Sequence, residues 1–551
     1  MISLRDFQKE VDFRFWNVAK KKTKYKDIIN FNDLDKKQIL KEIVEDINKA
    51  DYNFSTPLYY YSAKKNGILR RIKIYNIRDL AVYYYCVKKI QDELTEKIKK
   101  IETAFGGFKF SADNRVLSSD SNNDIPIDNE MEYFDSYQSL ISKESFIKEW
   151  KGYQQLAYEA LDNGYKYYIH IDISHFYDDI NLDILEKHVR NIVRDKREII
   201  DLLFYFLRLS DKKDLGYSTA SVGIPQEELG EMSRVLANFY LSYYDEAIVS
   251  FLNSYLGTGN YLYFRYSDDM WFCFNEDKSV AFRIIQQVSI LLNKIKLHIN
   301  DSKIKIYNSI EFEEYWYFNE WSRMVNNKKS FRYLKSLYDH FNIESNRTGR
   351  WLSIAKYGLK VFTSNDMNTR YFRKYDYAKV FVLKIIDKPA IIESFEEKHI
   401  TFFIELIHRF PHLKQVLIKF LNSKDNIYPT VEFFILNILI ELRPTKTTTD
   451  FMLNMFTKKF NKSSTDWYSR CLCIRYFIKY KHVTTNNGIK DKLIILIGKN
   501  KDYIENEIER RTYIFFFNNF NSSEKKLCAS IFNKNNDFIF RSYLDKVGFN
   551  R

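Results

Sequence analysis

Residues 264–274 read FRYSDDMWFCF. Two adjacent aspartates, Asp268 and Asp269, follow a tyrosine and lie between apolar runs that are typical of a buried β-hairpin. Like charges a few ångström apart repel one another, and burying them without partners is costly. A hairpin turn is one explanation, because Asp and Ser are ordinary turn residues. A metal site is the other, because a divalent cation supplies the missing positive charge.

A second strand with an aspartate at its end precedes this hairpin. Residues 165–180 read YKYYIHIDISHFYDDI, and the alternation places Tyr168, His170 and Asp172 on one face of the strand. The opposite face takes the apolar side chains of Tyr167, Ile169 and Ile171. Asp172 therefore ends the strand, at the edge where a packed core stops.

The order of elements predicts that the aspartates meet. A strand with Asp172, a long helix, a hairpin with Asp268, a helix and a final strand follow one another. This order brings Asp172 and Asp268 to one end of an antiparallel sheet. Carboxylates at such a place can hold two Mg²⁺ ions roughly 3.5–4 Å apart, the arrangement used for in-line phosphoryl transfer.

Taken in order, the motifs resemble the palm of a reverse transcriptase. DISHFYDDI resembles the first catalytic motif of that family, GIPQEELGEMSRVLANFYL the second, YSDD the third and LHINDSKIKI the fourth. RRIKIYNIRD resembles the fingers segment before them, and AFGGFKF the short segment that follows it. The resemblance covers residues 60–310. It implies an α+β fold with the fingers and palm of a right-hand polymerase.

The resemblance also implies metal-binding and substrate-gating roles for the residues that match the motifs. Asp172 and Asp268 are expected as ligands of Mg²⁺, with Asp269 as the third carboxylate and the backbone carbonyl of Ile173 as a further ligand. Tyr177 falls where the family places an aromatic gate against a ribose 2′-hydroxyl, which implies dNTP substrates. The alternative for this tyrosine is an ordinary core aromatic.

The nucleotide-binding residues follow from the same resemblance. Arg70, Arg71 and Lys73 are expected to hold the triphosphate, and Gln226 to line the nucleotide pocket. Lys303 is expected to help protonate the pyrophosphate leaving group. The alternative for the basic residues is a solvated strand face.

One segment departs from the family pattern. Glu227 and Glu228 follow Pro-Gln, where the family usually has a glycine, and more residues than usual precede Ser233. Negative charges at the start of this helix would repel a nucleic-acid backbone. The departure argues against ordinary template handling and leaves nucleotidyl transfer untouched.

Within the family, one subgroup is the most similar. SRVLANFYL, the absence of maturase or endonuclease motifs and a helical second half resemble bacterial defence-associated reverse transcriptases of the abortive-infection AbiK type. That resemblance implies a homo-oligomer, phage defence, and untemplated DNA synthesis primed from a protein tyrosine, with the DNA left covalently attached. The acceptor is expected on a mobile segment, and the candidates are Tyr25, Tyr52, Tyr133 and Tyr137.

Two other classes of function stay open. The first is a retron-like reverse transcriptase that copies a dedicated non-coding RNA, which would then accompany the protein. The second is a binding protein on a polymerase scaffold, and the intact set of three aspartates argues against it.

Length and composition bound the organisation of the chain. Its 551 residues are divided into a fingers and palm domain, 1–325, with an insertion at 111–150, and an α-helical repeat domain, 326–551. The formal net charge of +14 favours a polyanionic partner such as nucleic acid, although biased genomic base composition gives a similar residue usage. The sequence has no apolar run long enough for a membrane span and no secretory signal at its start, and its five cysteines show no metal-site spacing. We therefore expect a cytoplasmic protein.

Overall fold

The fold comes from a computed structural model, in which strands and helices mix as far as residue 316 and helices follow from residue 377. The described residues are 1–23, 25–63, 69–107, 143–211, 223–226, 229–316, 359, 377–388, 391–392, 395, 397–460, 467–486, 488–504 and 506–520. The predicted order, an α+β part followed by a helical part, is therefore confirmed for these residues.

Three helices open the chain, and two of them begin at aspartates. They are α1 (Leu4–Glu10), α2 (Phe13–Lys22) and α3 (Lys36–Asn48). Asp12 accepts hydrogen bonds from two backbone N–H groups at the start of α2, and Asp35 accepts one at the start of α3. These bonds satisfy amides that a helix leaves unpaired in its first turn.

A two-stranded hairpin and a long helix follow. The strands β1 (Leu58–Ala63) and β2 (Leu69–Ile74) pair antiparallel, from Leu58 opposite Ile74 to Ala63 opposite Leu69. The helix α4 (Ile77–Ile98) begins at Asn76, whose side chain accepts a hydrogen bond from the backbone of Asp79.

The central sheet is mixed, with helices inserted between its strands. Its elements and their connections are β3 (Ala104–Phe105), α5 (Lys143–Asp162), β4 (Tyr167–Ser174), α6 (Phe176–Asp179), α7 (Leu182–Ile192), α8 (Arg197–Asp211), α9 (Glu231–Leu256), β5 (Tyr261–Tyr266), β6 (Asp269–Phe274), α10 (Lys278–Lys294), β7 (His298–Ile299), β8 (Lys305–Tyr307) and α11 (Ser309–Trp316). The strand order is β3-β5-β6-β4-β7, and β8 also pairs with β4. Only β3 and β5 run parallel among the described pairs.

The two faces of the sheet belong to two cores, because side chains alternate along β4 and β6. One face joins the large core that includes α4, α9 and α10, and its residues on β4 and β6 are Ile169, Ile171, Met270 and Phe272. The other face packs against α5 and α11 through Tyr168, Trp271 and Cys273. Because both faces of the sheet are covered, polar side chains can reach a substrate only at the ends of the strands.

The described part of the second half consists of helices. They are α12 (Tyr377–Ile386), α13 (Glu397–Arg409), α14 (His412–Leu421), α15 (Pro429–Glu441), α16 (Lys446–Phe460), α17 (Trp467–Lys479), α18 (Lys481–Asn486), α19 (Ile489–Lys499) and α20 (Glu507–Phe520). Helix α17 packs against α15, α16 and α20 and so lies at the centre of this group. Among all the helices that the structure describes, none has both the length and the apolar character to cross a membrane.

The segment between α2 and α3 joins the two halves. Tyr25 packs against Tyr60 of β1 and Phe433 of α15. Asp27 accepts hydrogen bonds at 2.9 and 2.5 Å from the guanidinium of Arg511 in α20, and both side chains are buried. The proposed domain boundary at residue 325 lies outside the described residues. Of the predicted insertion, the last residues, from Lys143, belong to α5.

Candidate active site

Asp172 lies opposite Asp269 of β6, as the last residue of β4 that pairs with that strand. The prediction that Asp172 ends its strand is wrong by two residues, because β4 continues to Ser174 by pairing with β7. The backbone carbonyl of Asp172 accepts a hydrogen bond of 2.8 Å from the N–H of Asn300. The Oδ2 atom of Asp172 lies 2.6 Å from Nζ of Lys303, and its Oδ1 atom accepts a longer hydrogen bond of 3.4 Å from the Asn300 amide. The strand end therefore presents a carboxylate that a lysine already partly neutralises.

Asp268 lies in the turn between β5 and β6. Tyr266 and Asp269 form the last pair of the hairpin, which leaves Ser267 and Asp268 as the two turn residues. Ser267 has a φ of 57°, in the left-handed region that residues other than glycine rarely adopt. Burial and then the charge of Asp172 raise the pKa of Asp268 to about 6. The charges of the two carboxylates therefore interact, as the sequence predicted.

Asp269 makes contacts on a different side. Its Oδ2 accepts a hydrogen bond of 2.6 Å from the hydroxyl of Tyr153, and its Oδ1 pairs with Nε2 of His170. Burial alone would raise the pKa of Asp269, but the charge and hydrogen bond of His170 bring it below its usual value. Trp271 stacks on His170 and donates a hydrogen bond of 3.1 Å to the Tyr153 hydroxyl. Each oxygen of Asp269 thus has a protein partner.

The partners of Asp269 bear on how many carboxylates are left for a metal ion. No group of three or more His, Cys, Asp or Glu side chains stands ready to hold a metal in the part of the chain that the structure describes. Asp172 and Asp268 remain as a pair of repelling carboxylates, and hard oxygen donors of this kind suit Mg²⁺. A cation between them would relieve the repulsion that raises the pKa of Asp268. The pair therefore fits a divalent metal, with Asp269 directed to His170 and Tyr153.

Tyr177 stands in α6, beside the turn that carries Asp268. Its hydroxyl forms hydrogen bonds with the side chains of Ser267 and Arg234. Burial and the charge of Asp268 raise the pKa of Tyr177, against the lowering effect of Arg234. The phenol is thereby held in its neutral form, with its ring half-buried at the edge of the site.

Gln226 connects the site to the β1–β2 hairpin. Its Nε2 donates to both carboxylate oxygens of Asp178, at 3.2 and 3.3 Å. Its backbone carbonyl accepts a hydrogen bond of 2.8 Å from the N–H of Lys73 in β2. This backbone hydrogen bond joins the segment that resembles the fingers to the segment that resembles the second palm motif.

The basic residues of β2 differ in exposure. Arg70 is exposed, and the guanidinium of Arg71 lies 4.4 Å from the centre of the Tyr59 ring. Lys73 is buried, with 7% of its surface exposed. Arg71 is exposed like Arg70, so the alternative of a solvated strand face fits both arginines and does not fit Lys73.

Two of the tyrosines considered as priming acceptors lie in the core. Tyr25 is buried among aromatic rings, and the Tyr52 hydroxyl donates a hydrogen bond of 2.9 Å to Asp79. Burial and the charge of Asp79 raise the pKa of Tyr52, so the phenolate that would attack a phosphate is disfavoured. The expectation that they lie on a mobile segment is wrong for both. The other two candidates, Tyr133 and Tyr137, lie outside the described residues, as do Glu227 and Glu228.

Several side chains around the site were not found from the sequence. They are Tyr153, His170, Arg234, Asn238, Asp245, Arg265 and Asn300. One signal was available, because Arg265 is a charged residue within a strand whose other positions are mostly apolar or aromatic. A charge at such a position requires a buried partner.

Comparison with known proteins agrees with this geometry. Residues 120–335 match the family model of reverse transcriptase (RNA-dependent DNA polymerase). The matched range contains the three aspartates, Tyr177, Gln226 and Lys303. It begins after the β1–β2 hairpin and so does not include Arg70, Arg71 or Lys73. No curated protein matches the sequence.

Solved structures of telomerase are similar over most of the chain, at low identity. One is telomerase from Candida albicans in complex with a TWJ fragment of telomeric RNA, with 12% identity, a TM-score of 0.30 and coverage of 74% of this chain and 72% of that chain. Another is apo telomerase from Candida tropicalis, with 12% identity, a TM-score of 0.32 and coverage of 75% and 73%.

The family match defines the class of this protein. The chain contains a reverse transcriptase domain, whose α+β fold is followed by a helical C-terminal region. It is an enzyme, a nucleotidyltransferase of the RNA-directed DNA polymerase class. Enzymes of this family generally use divalent metal ions.

Proposed function

We propose that the site around Asp172 and Asp268 makes DNA from dNTPs by nucleotidyl transfer that depends on Mg²⁺. The observation that carries this proposal is the placement of the two carboxylates: Asp172 pairs with Asp269 across β4 and β6, and Asp268 is the adjacent turn residue. In agreement with this placement, the charge of Asp172 helps to raise the pKa of Asp268 to about 6. Such a pair is costly in a protein without a cation and useful in one that binds it.

Each residue of the site has a role in this proposal. When bound, Mg²⁺ would make an attacking hydroxyl easier to deprotonate and stabilise the charge that develops on the phosphorus oxygens. Asp172 and Asp268 would hold it, with the carbonyl of Ile173 as the proposed backbone ligand. Asp269 is the third carboxylate of the proposal, and its bonds to Tyr153 and His170 fix the hairpin on which Asp268 stands.

Substrate handling falls to residues at the edge of the site. Lys303 is the proposed proton donor to the pyrophosphate leaving group, and its side chain is 54% exposed beside Asp172. The half-buried ring of Tyr177 is the proposed barrier to a 2′-hydroxyl. Gln226 would line the nucleotide pocket, and Arg70, Arg71 and Lys73 on the β1–β2 hairpin would hold the triphosphate.

Substitution of the carboxylates tests the proposal. Asp172→Asn and Asp268→Asn should each lower Mg²⁺-dependent dNTP incorporation by ~100-fold or more, while folding is retained. Asp387→Asn is the matched control, because the pKa of Asp387 is also raised by burial and by a neighbouring carboxylate, Asp425, in the helical half. The control should incorporate dNTPs as the wild type does. Equal activity of Asp268→Asn and the control would refute the proposed site.

The proposed biological role is phage defence by an AbiK-like enzyme that makes untemplated DNA on one of its own tyrosines and acts as a homo-oligomer. It is supported by the resemblance of SRVLANFYL and of the helical half to that subgroup. A tyrosine hydroxyl is a chemically sound primer, because a phenol is easier to ionise than a sugar alcohol. Since Tyr25 and Tyr52 are buried, Tyr133 and Tyr137 are the acceptors to test first.

Incubation with dNTPs and Mg²⁺ alone distinguishes the modes of priming. Self-priming predicts DNA that stays on the protein in hot detergent and leaves a nucleotide on one tyrosine after nuclease digestion, as read by mass spectrometry. Tyr133→Phe and Tyr137→Phe should identify the acceptor. If DNA forms only when RNA is added, and separates from denatured protein, copying of a dedicated RNA is the correct account.

A further inference from the structure

The turn that carries Asp268 is held from inside the protein by a fully buried arginine. Arg265 lies in β5, two residues before Ser267, with none of its side chain exposed. Its Nη1 donates hydrogen bonds of 3.0 Å to the backbone carbonyl of Ser267 and 2.7 Å to Oδ1 of Asn238. One guanidinium nitrogen thus binds the turn and the helix α9 together.

The position of this guanidinium is itself fixed. Its Nε and Nη2 donate to the two carboxylate oxygens of Asp245 in α9, at 2.7 and 2.6 Å. Tyr263 donates a further hydrogen bond of 2.7 Å to Asp245. Two parallel bonds between a guanidinium and a carboxylate restrict orientation as well as distance. Arg265 can therefore act as a rigid support for the turn.

The other polar groups of the turn are also held. The N–H of Ser267 donates a hydrogen bond of 3.2 Å to the carbonyl of Phe105 in β3. The amide of Asn238 donates one of 2.6 Å to the carbonyl of Gly106, whose φ of 91° favours glycine. A Cβ at Gly106 would lie 3.2 Å from the Ser267 nitrogen, so β3 approaches the turn closely. These contacts maintain the unfavourable left-handed conformation of Ser267.

We propose that Arg265 is a positioning residue, which fixes the Ser267 carbonyl and thereby sets the Asp268 carboxylate at the distance from Asp172 that a divalent metal requires. The inference rests on the function proposed for these two aspartates. Lysine cannot replace the arginine, because one ammonium cannot bind Asp245 through two parallel bonds and also reach Ser267 and Asn238.

The test compares Arg265→Lys with Arg470→Lys. Arg470 is a matched buried arginine of the helical half, where its Nε and Nη2 donate to the carboxylate of Glu509 at 2.7 and 3.1 Å. Two quantities are measured on the full chain: Mn²⁺ binding, from the electron paramagnetic resonance signal of free Mn²⁺, and the kcat and KM for dNTP. Circular dichroism reports the folded fraction.

We expect Arg265→Lys to weaken Mn²⁺ binding and to lower kcat by ~10-fold each, as for other residues that orient metal ligands, with KM for dNTP nearly unchanged. Arg470→Lys should lower thermal stability without either effect. If Arg265→Lys does not fold, Asn238→Ala removes the hydrogen bonds of Asn238 with Arg265 and with the Gly106 carbonyl, and it should weaken Mn²⁺ binding in the same direction.

Failure of this inference differs from failure of the proposed function. Asp268→Asn is measured in parallel and should lose both Mn²⁺ binding and incorporation. If it does, and both Arg265→Lys and Asn238→Ala behave like Arg470→Lys, the positioning role is wrong and the site stands. If Asp268→Asn binds Mn²⁺ and incorporates dNTPs as the wild type does, the proposed site itself is wrong.

Discussion

The Nζ atom of Lys303 lies 2.6 Å from Oδ2 of Asp172. The lysine ends the short helical turn Asp301–Lys303 after β7, and the aspartate lies in the neighbouring strand β4, next to Ile173, which pairs with Ile299 of β7. Asp172 is largely buried, with 15% of its side chain exposed, whereas Lys303 reaches solvent. A partly exposed lysine of the protein therefore neutralises the carboxylate that the proposed metal would bind.

Removal of this lysine should lower the rate of nucleotide incorporation without weakening metal binding. We expect Lys303→Met to lower kcat by ~10-fold or more, because a general acid is lost. The Mg²⁺ concentration for half-maximal activity should fall or stay constant, because an ammonium no longer competes for Asp172. Titration of Mg²⁺ in a dNTP incorporation assay measures both. Lys305→Met, two residues along the chain, is the control, and equal kcat in the two variants would exclude the proton-donor role.

The stability of the metal-free protein should depend on the charge of Asp268. Its pKa in the folded chain, about 6, lies above the ordinary aspartate value of 3.8, so folding favours the protonated form. This contribution is complete below pH 3.8 and is lost as the pH rises through 6. Each unit of pKa corresponds to ~1.4 kcal/mol, so the loss is at most about 3 kcal/mol.

Thermal unfolding in a chelating buffer checks this dependence. At pH 7 the variant Asp268→Asn should melt at a higher temperature than the wild type, and the difference should shrink towards pH 4. Mg²⁺ should stabilise the wild type at pH 7 and have little effect on the variant. A difference between the two proteins that does not vary with pH would contradict the electrostatic account.

Tyr177 should control the choice of sugar. Its ring is held by hydrogen bonds of its hydroxyl with Ser267 and Arg234, next to Asp268. Tyr177→Ala should therefore raise kcat/KM for rNTPs relative to dNTPs by ~10-fold or more, because the space for a 2′-hydroxyl opens. Tyr255→Ala, at an exposed position near the end of α9, is the control. An unchanged ratio in Tyr177→Ala would place the barrier on another residue.

The contact between Asp27 and Arg511 should stabilise the joined halves of the chain. Asp27→Asn leaves Arg511 buried with a weaker partner, which costs about 3 kcal/mol at comparable buried pairs. Glu441→Gln removes the half-exposed ion pair with Lys479 and should cost less than ~1 kcal/mol. Thermal unfolding compares the two variants. Equal melting temperatures would show that the Asp27 contact adds no more than a surface pair.

Local patterns in the sequence were sufficient for the strand that carries Asp172. Period-two alternation predicted that His170 and Asp172 share a face, and the pairing of β4 with β6 bears this out. The same pattern could not show that His170 binds Asp269, because that contact depends on the register of two strands 99 positions apart. The letters of a YSDD motif are the same whether the second carboxylate binds a metal or a histidine.

The support of the Asp268 turn was beyond the sequence for a similar reason. Arg265 and Asp245 lie 20 positions apart, on a strand and a helix whose relative placement only the folded core determines. The burial of Tyr25 and Tyr52 was missed because their neighbours in sequence are polar, while the rings that cover Tyr25 come mostly from α15 and α17. Motif order indicated where the proposed site lies, and tertiary contacts determine which partners each side chain has there.

The central claim is that Asp172 and Asp268 hold a divalent metal for DNA synthesis. Anomalous diffraction from crystals soaked with Mn²⁺ and a dNTP tests it most directly, because it locates the ion without reference to activity. The account predicts an anomalous peak in contact with both carboxylates, and no such peak in Asp268→Asn. Mn²⁺ bound elsewhere, with these two carboxylates free of metal in the presence of dNTP, would contradict it.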